Sequence, residues 1–425
     1  MLKYIILIAL ALGASINANA ATPQTVPVPR LQAQKPESKP VDLSAQQTQA
    51  QVFAMWKRDF MARALAKGYD ADLVAATIGP AKINPKAIKS NEQQPEFTRP
   101  IWSYVDGVMS EARLRGGREK LVKHAELFAG IEARYGVDRT ILTSIWGLES
   151  AYGKILGHDN MIDSLATLAF QGRRKKFGEQ QLFGLLDILS QGVVRKEQLI
   201  GSWAGAMGMT QFIPTTFRDY AVDYDNNGNK DLWTDVGDAL ASTAYYLSRF
   251  GWRSTEPVLA EVMLPDDFNY GLSDGTKRTI SGWSAMGVRP VDGQNWSREA
   301  LFLEAKLLLP AGVNGPVFLT FKNFDVIKKY NNSTAYALGI TVLAESLQGK
   351  KTITREWPRQ DKPLTRSHKQ ALQQALTNQG YSTGGIDGMI GPNSRRAIRA
   401  WQRANGLPAD GYVNQALLRK ILTGK

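Results

Sequence analysis

Apolar residues recur at three- and four-residue spacing in QVFAMWKRDFMARALAKG (51–68), DRTILTSIWGLESAYG (138–153), QQLFGLLDILSQG (180–192), DVGDALASTAYYLSRFGW (235–252) and NSTAYALGITVLAESLQG (332–349). That period predicts amphipathic helices, each with one face inward, and a mainly α region from about residue 51 to 349. EPVLAEVMLPDDFNYG through VFLTFKNF (256–324) breaks the period with β-branched runs and turn residues, which predicts a small sheet. Residues 350–363, KKTITREWPRQDKP, are charged, carry two prolines and have no apolar period, and read as a linker. The remaining 364–425 hold RSHKQALQQALTNQG and GPNSRRAIRAWQRANG, short helical patterns each closed by glycine, as expected of a second, small domain.

Two segments precede the first helix. MLKYIILIALALGASINANA has a lone Lys3, an apolar run from Tyr4 to Leu12 and an Ala18-Asn19-Ala20 ending, the three parts of a secretory signal peptide cleaved after Ala20. Its apolar core is short of the ~20 residues a spanning helix needs, so no membrane anchor is expected. Residues 21–50 are rich in Pro, Gln and Ser and read as a disordered tether.

Composition adds a partner class. A hydrophobic content of 43% over 425 residues is enough for a sizeable core. The formal charge of +13 favours polyanionic partners such as a cell-wall polymer, a membrane surface or nucleic acid. No nucleic-acid-binding signature accompanies the basic residues, so nucleic acid is not expected as a partner. Zero cysteines exclude a disulfide framework and thiol chemistry. His124, His158 and His368 are too far apart to share a ligand spacing.

Within 138–153 one ionisable group breaks the apolar stripe. At about 100° per residue, Leu142, Ile145 and Tyr152 lie within about 60° of Glu149 on the helical wheel. Burial there raises a carboxyl pKa and holds the proton near neutral pH, the state a general acid needs. A structural Glu that caps the helix or pairs with an Arg is the alternative. The segment GSWAGAMGMTQFIP (201–214) is small, Gly-rich and uncharged. Gly205 and Gly208 permit positive φ or close backbone approach, and Gln211 offers both a donor and an acceptor, features that suit the wall of a sugar groove.

DYDNNGNKD (223–231) places oxygen-bearing side chains at the odd positions of a calcium loop, with Gly228 at position 6. Position 12 is Thr234 where a bidentate Glu is usual. Asp235 or Asp238 could close a longer loop, and a metal-free Asx-rich turn is the alternative.

Taken together, ES-A-YG, then GS-AGAMG-QF-P, then KNFDVIKKYNNSTAYALGI (322–340) resemble the lytic murein transglycosylase B family in its soluble, periplasmic form, over most of residues 52–349. The resemblance implies a lysozyme-like helical catalytic domain and cleavage of the MurNAc-GlcNAc bond of peptidoglycan with 1,6-anhydromuramyl ends. It implies that Glu149 is the single catalytic acid and base, and that Ser202, Gln211, Tyr330 and Asn331 are groove residues. Tyr104, Arg173, Arg174, Tyr245 and Tyr336 fall at substrate-contact positions. It further implies no organic cofactor and a structural calcium ion held by Asp223, Asp225, Asn227, Asn229 and Asp238. The same acid in a hydrolytic muramidase, or a non-catalytic peptidoglycan-binding scaffold, are the competing readings. DGMIGPNSRRAIRAWQ (387–402) resembles the three-helix peptidoglycan-binding domain. The expected partners are therefore peptidoglycan glycan strands, with any proteins of the cell-wall machinery unidentified.

Overall fold

The computed structural model describes residues 43–92 and 100–424. The expected signal peptide and the tether up to residue 42 lie outside them. The first helix, α1 (Leu43–Ala66), begins inside the expected tether. LSAQQTQA follows the last proline of that segment, and six of its eight residues are Ala, Gln or Leu, good helix formers that extend the helix backwards.

Helices α2 (Ala71–Ile78), α3 (Pro85–Glu92), α4 (Ile101–Val108), α5 (Glu111–Lys123), α6 (Ala125–Tyr135) and α7 (Arg139–Ser150) follow. A two-residue ladder of β1 (Asp159–Asn160) with β2 (Ile200–Gly201) brackets α8 (Met161–Phe170) and α9 (Lys175–Ser190). The helical body is completed by α10 (Pro214–Tyr220) and α11 (Val236–Arg249) and, after the sheet, by α13 (Lys322–Tyr330) and α14 (Thr334–Leu347). Aspartates at both entrances satisfy first-turn N–H groups: Asp138 caps α7 and Asp235 caps α11. These helices share one core, in which Phe60, Phe128, Ile145, Leu165, Leu240 and Ile340 are fully buried. The central helix α7 is buried on nearly every face, with α14, α5 and α11 packed around it.

Between α11 and α13 a five-stranded antiparallel sheet runs in the order β4 (Arg278–Thr279), β6 (Glu304–Leu308), β7 (Phe318–Thr320), β3 (Leu259–Met263), β5 (Arg289–Pro290). Its register pairs Leu307 with Leu319 and Leu259 with Thr320. With the short helix α12 (Ile280–Ala285) it encloses a second core around Val262, Trp283 and Leu319.

The segment 350–363 is fastened along its length. Trp357 is buried against Trp102, Glu261 accepts from the backbone N–H groups of Thr354 and Arg355, and Arg359 pairs with Asp106 at 2.6 Å. Beyond it, α15 (Arg366–Asn378), α16 (Pro392–Ala404) and α17 (Gln415–Thr423) enclose a third core of Leu372, Leu376, Ile398, Trp401 and Ile421. The architecture is mainly α: a lysozyme-like helical body, a small β-containing subdomain and a three-helix C-terminal unit. Among the described residues no helix is long and apolar enough to cross a membrane.

Candidate active site

Helix α7 ends at Ser150, and the chain turns out of it with Ala151, Tyr152 and Gly153 all at positive φ (50°, 62° and 81°). Two consecutive non-glycine residues in the left-handed region store strain, and the neighbourhood holds them there. Tyr152 Oη donates to the carbonyl of Arg113 at 2.7 Å. Ser150 Oγ donates to the Met209 carbonyl at 2.6 Å and accepts from the Gly153 N–H. The last turn of α7 is thereby tied to the 201–214 segment. Gly208 (φ 72°) lets that segment pass the 232 backbone, since a Cβ there would stand 2.6 Å from the Leu232 carbonyl oxygen.

One turn back from this corner sits Glu149, 5% exposed. Tyr336, from the start of α14, donates to its Oε1 at 2.7 Å. Burial pushes the Glu149 carboxyl up from its usual value to about 8, and the Tyr336 hydrogen bond, which favours the charged form, offsets part of that rise. At neutral pH the rise favours the neutral acid. Oε1 is occupied as an acceptor, so the proton belongs on Oε2.

Glu149 opens into a pocket lined also by Gln211, Phe212, Ile213, Thr216, Tyr246, Lys329, Tyr330, Asn331 and Asn332. Among these described lining residues Glu149 is the only carboxyl group. Gln211 is held at φ 54° with its amide donating to the carbonyls of Gly208 and Leu156. Tyr330 donates its hydroxyl to the Thr210 carbonyl and packs edge-on to Tyr246. Asn331 is buried, yet its Oδ1 has no partner among the described residues. An acceptor left unmade in this way costs free energy until a ligand or water donates to it.

The structure thus gathers Glu149, Gln211, Tyr330 and Asn331 at one pocket, with Tyr336 directly behind the acid. Tyr104, on α4, lies close to Gly339 of α14, on the side from which Tyr336 comes, and does not line the pocket. Ser202 lies outside the lining, its hydroxyl accepting from the N–H groups of Ala204 and Ala206 to shape the turn. Arg173 donates to the Asn91 carbonyl and Arg174 stacks over Trp203, and neither is among the lining residues. Tyr245 packs against Tyr135 and Tyr220, and the tyrosine that α11 sends to the pocket is its neighbour Tyr246. The helical phase carried that signal: Tyr246 follows Ser242 and Thr243 on the buried face, whereas Tyr245 is only partly covered. Lys329, Thr216 and Asn332 carry no pattern that marks them in the sequence.

Asp223, Asp225 and Asp238 bring carboxylate oxygens within 4.8 Å of one another. Asp238 is fully buried, and its carboxyl is pushed up to about 6, chiefly by desolvation, with the charges of Asp235 and Asp223 adding to the rise. An all-oxygen set around a buried carboxylate with acidic neighbours fits a hard cation such as calcium. Asp235 caps α11, while Asp238 ties the loop to that helix by accepting the N–H groups of Tyr224 and Asp231. Asn227 is engaged inside it, donating to Asp225 and accepting from the Asn229 N–H, and Asn229 enters through its backbone. The loop leads directly to Leu232, whose carbonyl accepts the Met209 N–H at 2.7 Å, so its order is transmitted to the Gly-rich wall.

Residues 52–345 match the model of the transglycosylase SLT domain family. The chain belongs to that family. Residues 367–421 match the peptidoglycan binding domain family. Among solved structures, SltB3 from Pseudomonas aeruginosa in complex with NAG-anhNAM-pentapeptide is 45% identical, with a TM-score of 0.83 over 87% of this chain and 99% of that one. The Escherichia coli lytic transglycosylase SLT35 in complex with calcium is 28% identical, with a TM-score of 0.60 over 69% of this chain and 92% of that one. Membrane-bound lytic murein transglycosylase B of Escherichia coli K12 is 34% identical over 225 residues, half of this chain, and the match spans 58% of that relative's length. The SLT domain of this chain is thus similar throughout to peptidoglycan-cleaving enzymes.

Proposed function

We propose that the protein is a lytic transglycosylase that cleaves the β-1,4 bond between N-acetylmuramic acid and N-acetylglucosamine, with Glu149 as acid and then base. The observation that carries this reading is a lone, buried carboxyl among the described residues of the pocket, its pKa raised by burial. Most glycosidases need two carboxylates, one of them a nucleophile or an activator of water, and the exceptions let the substrate assist. Here Glu149 gives the Oε2 proton to the glycosidic oxygen as the C1–O bond breaks, and the leaving sugar departs as an alcohol. The muramyl 2-acetamido group stabilises the positive charge at C1. The ionised Glu149 then takes the proton of the muramyl C6 hydroxyl as that oxygen bonds to C1, and the enzyme is back in its starting state. An intramolecular nucleophile gains from proximity, and no water is consumed.

Tyr336 serves both halves: its hydrogen bond fixes the carboxyl orientation and steadies the anion formed between the two proton transfers. Gln211, Tyr330 and Asn331 hold the sugar, the open Oδ1 of Asn331 accepting a hydroxyl or amide donor. The Pseudomonas relative captured with an anhydromuramyl product supports the ring-closing outcome over hydrolysis. Calcium, held by Asp223, Asp225 and Asp238 with Asn227, would stiffen the loop beside the groove and take no part in the chemistry. The leader at residues 1–20 supports a periplasmic location. Digestion of purified peptidoglycan by wild type and Glu149→Gln tests the role: release of muropeptides by wild type and its loss in the variant are expected, and undiminished release by Glu149→Gln contradicts it.

A further inference from the structure

The C-terminal unit contains the same turn twice. In the first, the Gln373 amide of α15 donates to Asp387 Oδ1 at 2.9 Å and its Oε1 accepts the Gly388 N–H at 2.8 Å, while the Met389 N–H closes onto Asp387 Oδ1 at 2.8 Å. In the second, Gln402 of α16 donates to Asp410 Oδ1 at 2.8 Å and accepts the Gly411 N–H at 2.8 Å, while the Tyr412 N–H closes onto Asp410 Oδ1 at 2.9 Å. Gly388 and Gly411 share a φ of 75°. In both turns the carboxylate spends Oδ1 on its own loop and keeps Oδ2 for something else.

The second turn has an occupant. Asp410 Oδ2 accepts the backbone N–H of Val313, from the loop before β7, at 3.0 Å. The preceding residue, Gly312, has φ 68°, and an L-configured Cβ on it would lie 2.4 Å from Asp410 Oδ2 and 2.8 Å from Tyr412 Cβ. The turn therefore takes a peptide N–H that follows a residue in the left-handed region with no L side chain. A D-residue adopts that φ as readily as an L-residue adopts its mirror image, and its methyl leaves Cα on the side opposite the blocked one. The first turn is bare. Asp387 is exposed, no backbone N–H donates to its Oδ2 among the described residues, and Ile386 and Met389 beside it stand 44% and 40% exposed. At the second turn the corresponding positions are Ala409 and Tyr412, the latter covered by Gly312 and bonded to Asp361.

We propose that the Asp387 turn is a binding site for the D-residue end of a peptidoglycan stem peptide. Asp387 Oδ2 accepts the N–H that follows a D-alanine, and Ile386 and Met389 cover its methyl groups. The inference rests on the wall-degrading reading of the catalytic pocket and extends it: the glycan is read at Glu149 and the peptide at Asp387.

Asp387→Asn is the discriminating change, because the amide oxygen preserves the bonds to Gln373 and Met389 while an NH2 that cannot accept replaces Oδ2. The full chain carrying Glu149→Gln is co-sedimented with peptide-bearing sacculi and with sacculi stripped of peptides by an amidase, with and without Asp387→Asn. Parental retention on peptide-bearing sacculi should fall about tenfold in Asp387→Asn, the worth of a hydrogen bond to a charged acceptor, and reach the level seen on stripped glycan. A soluble stem pentapeptide ending in D-alanyl-D-alanine should compete, and its diastereomer with two terminal L-alanines should not. Met389→Ser, which leaves the turn's hydrogen bonds in place, should weaken retention in the same direction. Equal retention of Asp387→Asn and its parent, or equal competition by the two peptides, overturns the inference. Products of the Glu149-intact chain, measured in parallel, separate the cases. Anhydromuramyl products with Asp387-independent retention remove only the peptide site, and their absence removes the catalytic reading.

Discussion

Tyr336 Oη lies 2.7 Å from Glu149 Oε1, a buried hydrogen bond between the first turn of α14 and the last turn of α7. It joins residues 187 positions apart in the chain, and among the described residues it is the one stabilisation of the ionised form set against the burial that holds the Glu149 carboxyl near 8. Tyr336→Phe takes away a bond that favours the charged carboxylate, worth about 1.5–3 kcal/mol. The Glu149 pKa should rise by about one unit or more, and kcat should fall about tenfold because the base step loses its stabilised anion. A pH–rate profile with an alkaline limb displaced upward is the expected result.

Glu149 also makes stability depend on pH. Its folded pKa, about 8, lies above the unfolded carboxyl value, so the native state binds the extra proton between them. The stability this contributes is complete below the unfolded pKa, near 4.5, and is lost as pH rises toward 8, with a slope of at most about 1.4 kcal/mol per pH unit. Denaturant melts of wild type should weaken from pH 5 to 8, and Glu149→Gln should lack that component and be the more stable chain at pH 8.

The Asp223 loop gives a metal prediction. Calcium at about a hundred times its dissociation constant should stabilise the protein by about 2.7 kcal/mol. The gain should be seen as a rise in melting temperature on adding calcium and its reversal by a chelator. Asp225→Asn, which weakens the donor set while leaving the buried Asp238 intact, should shrink the shift.

Gly312→Ala places a Cβ 2.4 Å from Asp410 Oδ2 at a φ of 68°. It should cost about 1–2 kcal/mol in backbone strain alone and separate the C-terminal unit from the sheet. Limited proteolysis between residues 350 and 363 should accelerate, because the segment then loses the anchorage of the C-terminal unit and is held only by its contacts with Glu261, Trp102 and Asp106.

What the sequence disclosed follows from how local each signal is. The apolar period announced α7, α9, α11 and α14, and a carboxylate on an apolar stripe marked Glu149 without any knowledge of its neighbours. The Asp387-Gly388 turn and the start of α16 at Pro392 were equally local. Pocket membership was not. Tyr245 and Tyr246 differ by one helical step, about 100°, and the phase of α11 marks Tyr246 as the buried one without showing which pocket it lines. Arg173 and Arg174 have the right charge for a muramyl peptide, but the α8–α9 turn carries them to Asn91 and Trp203. The polar composition of residues 21–50 predicts a disordered tether, but Gln and Ala propagate a helix from residue 43 once the apolar face of Phe53 and Phe60 anchors it. The repeated glutamine–aspartate turn has no local signature, because the two glutamines stand 14 and 8 residues before their aspartates.

The central claim is that one carboxyl, with no activated water, breaks the glycan by ring closure. Digestion of peptidoglycan in water enriched in heavy oxygen, followed by mass spectrometry of the muropeptides, tests it most directly. The account predicts products lighter by one water than their hydrolysed counterparts, free of heavy oxygen, and absent with Glu149→Gln. Reducing ends carrying one heavy oxygen would mean that water, and not the muramyl C6 hydroxyl, reaches C1, and the account would be wrong.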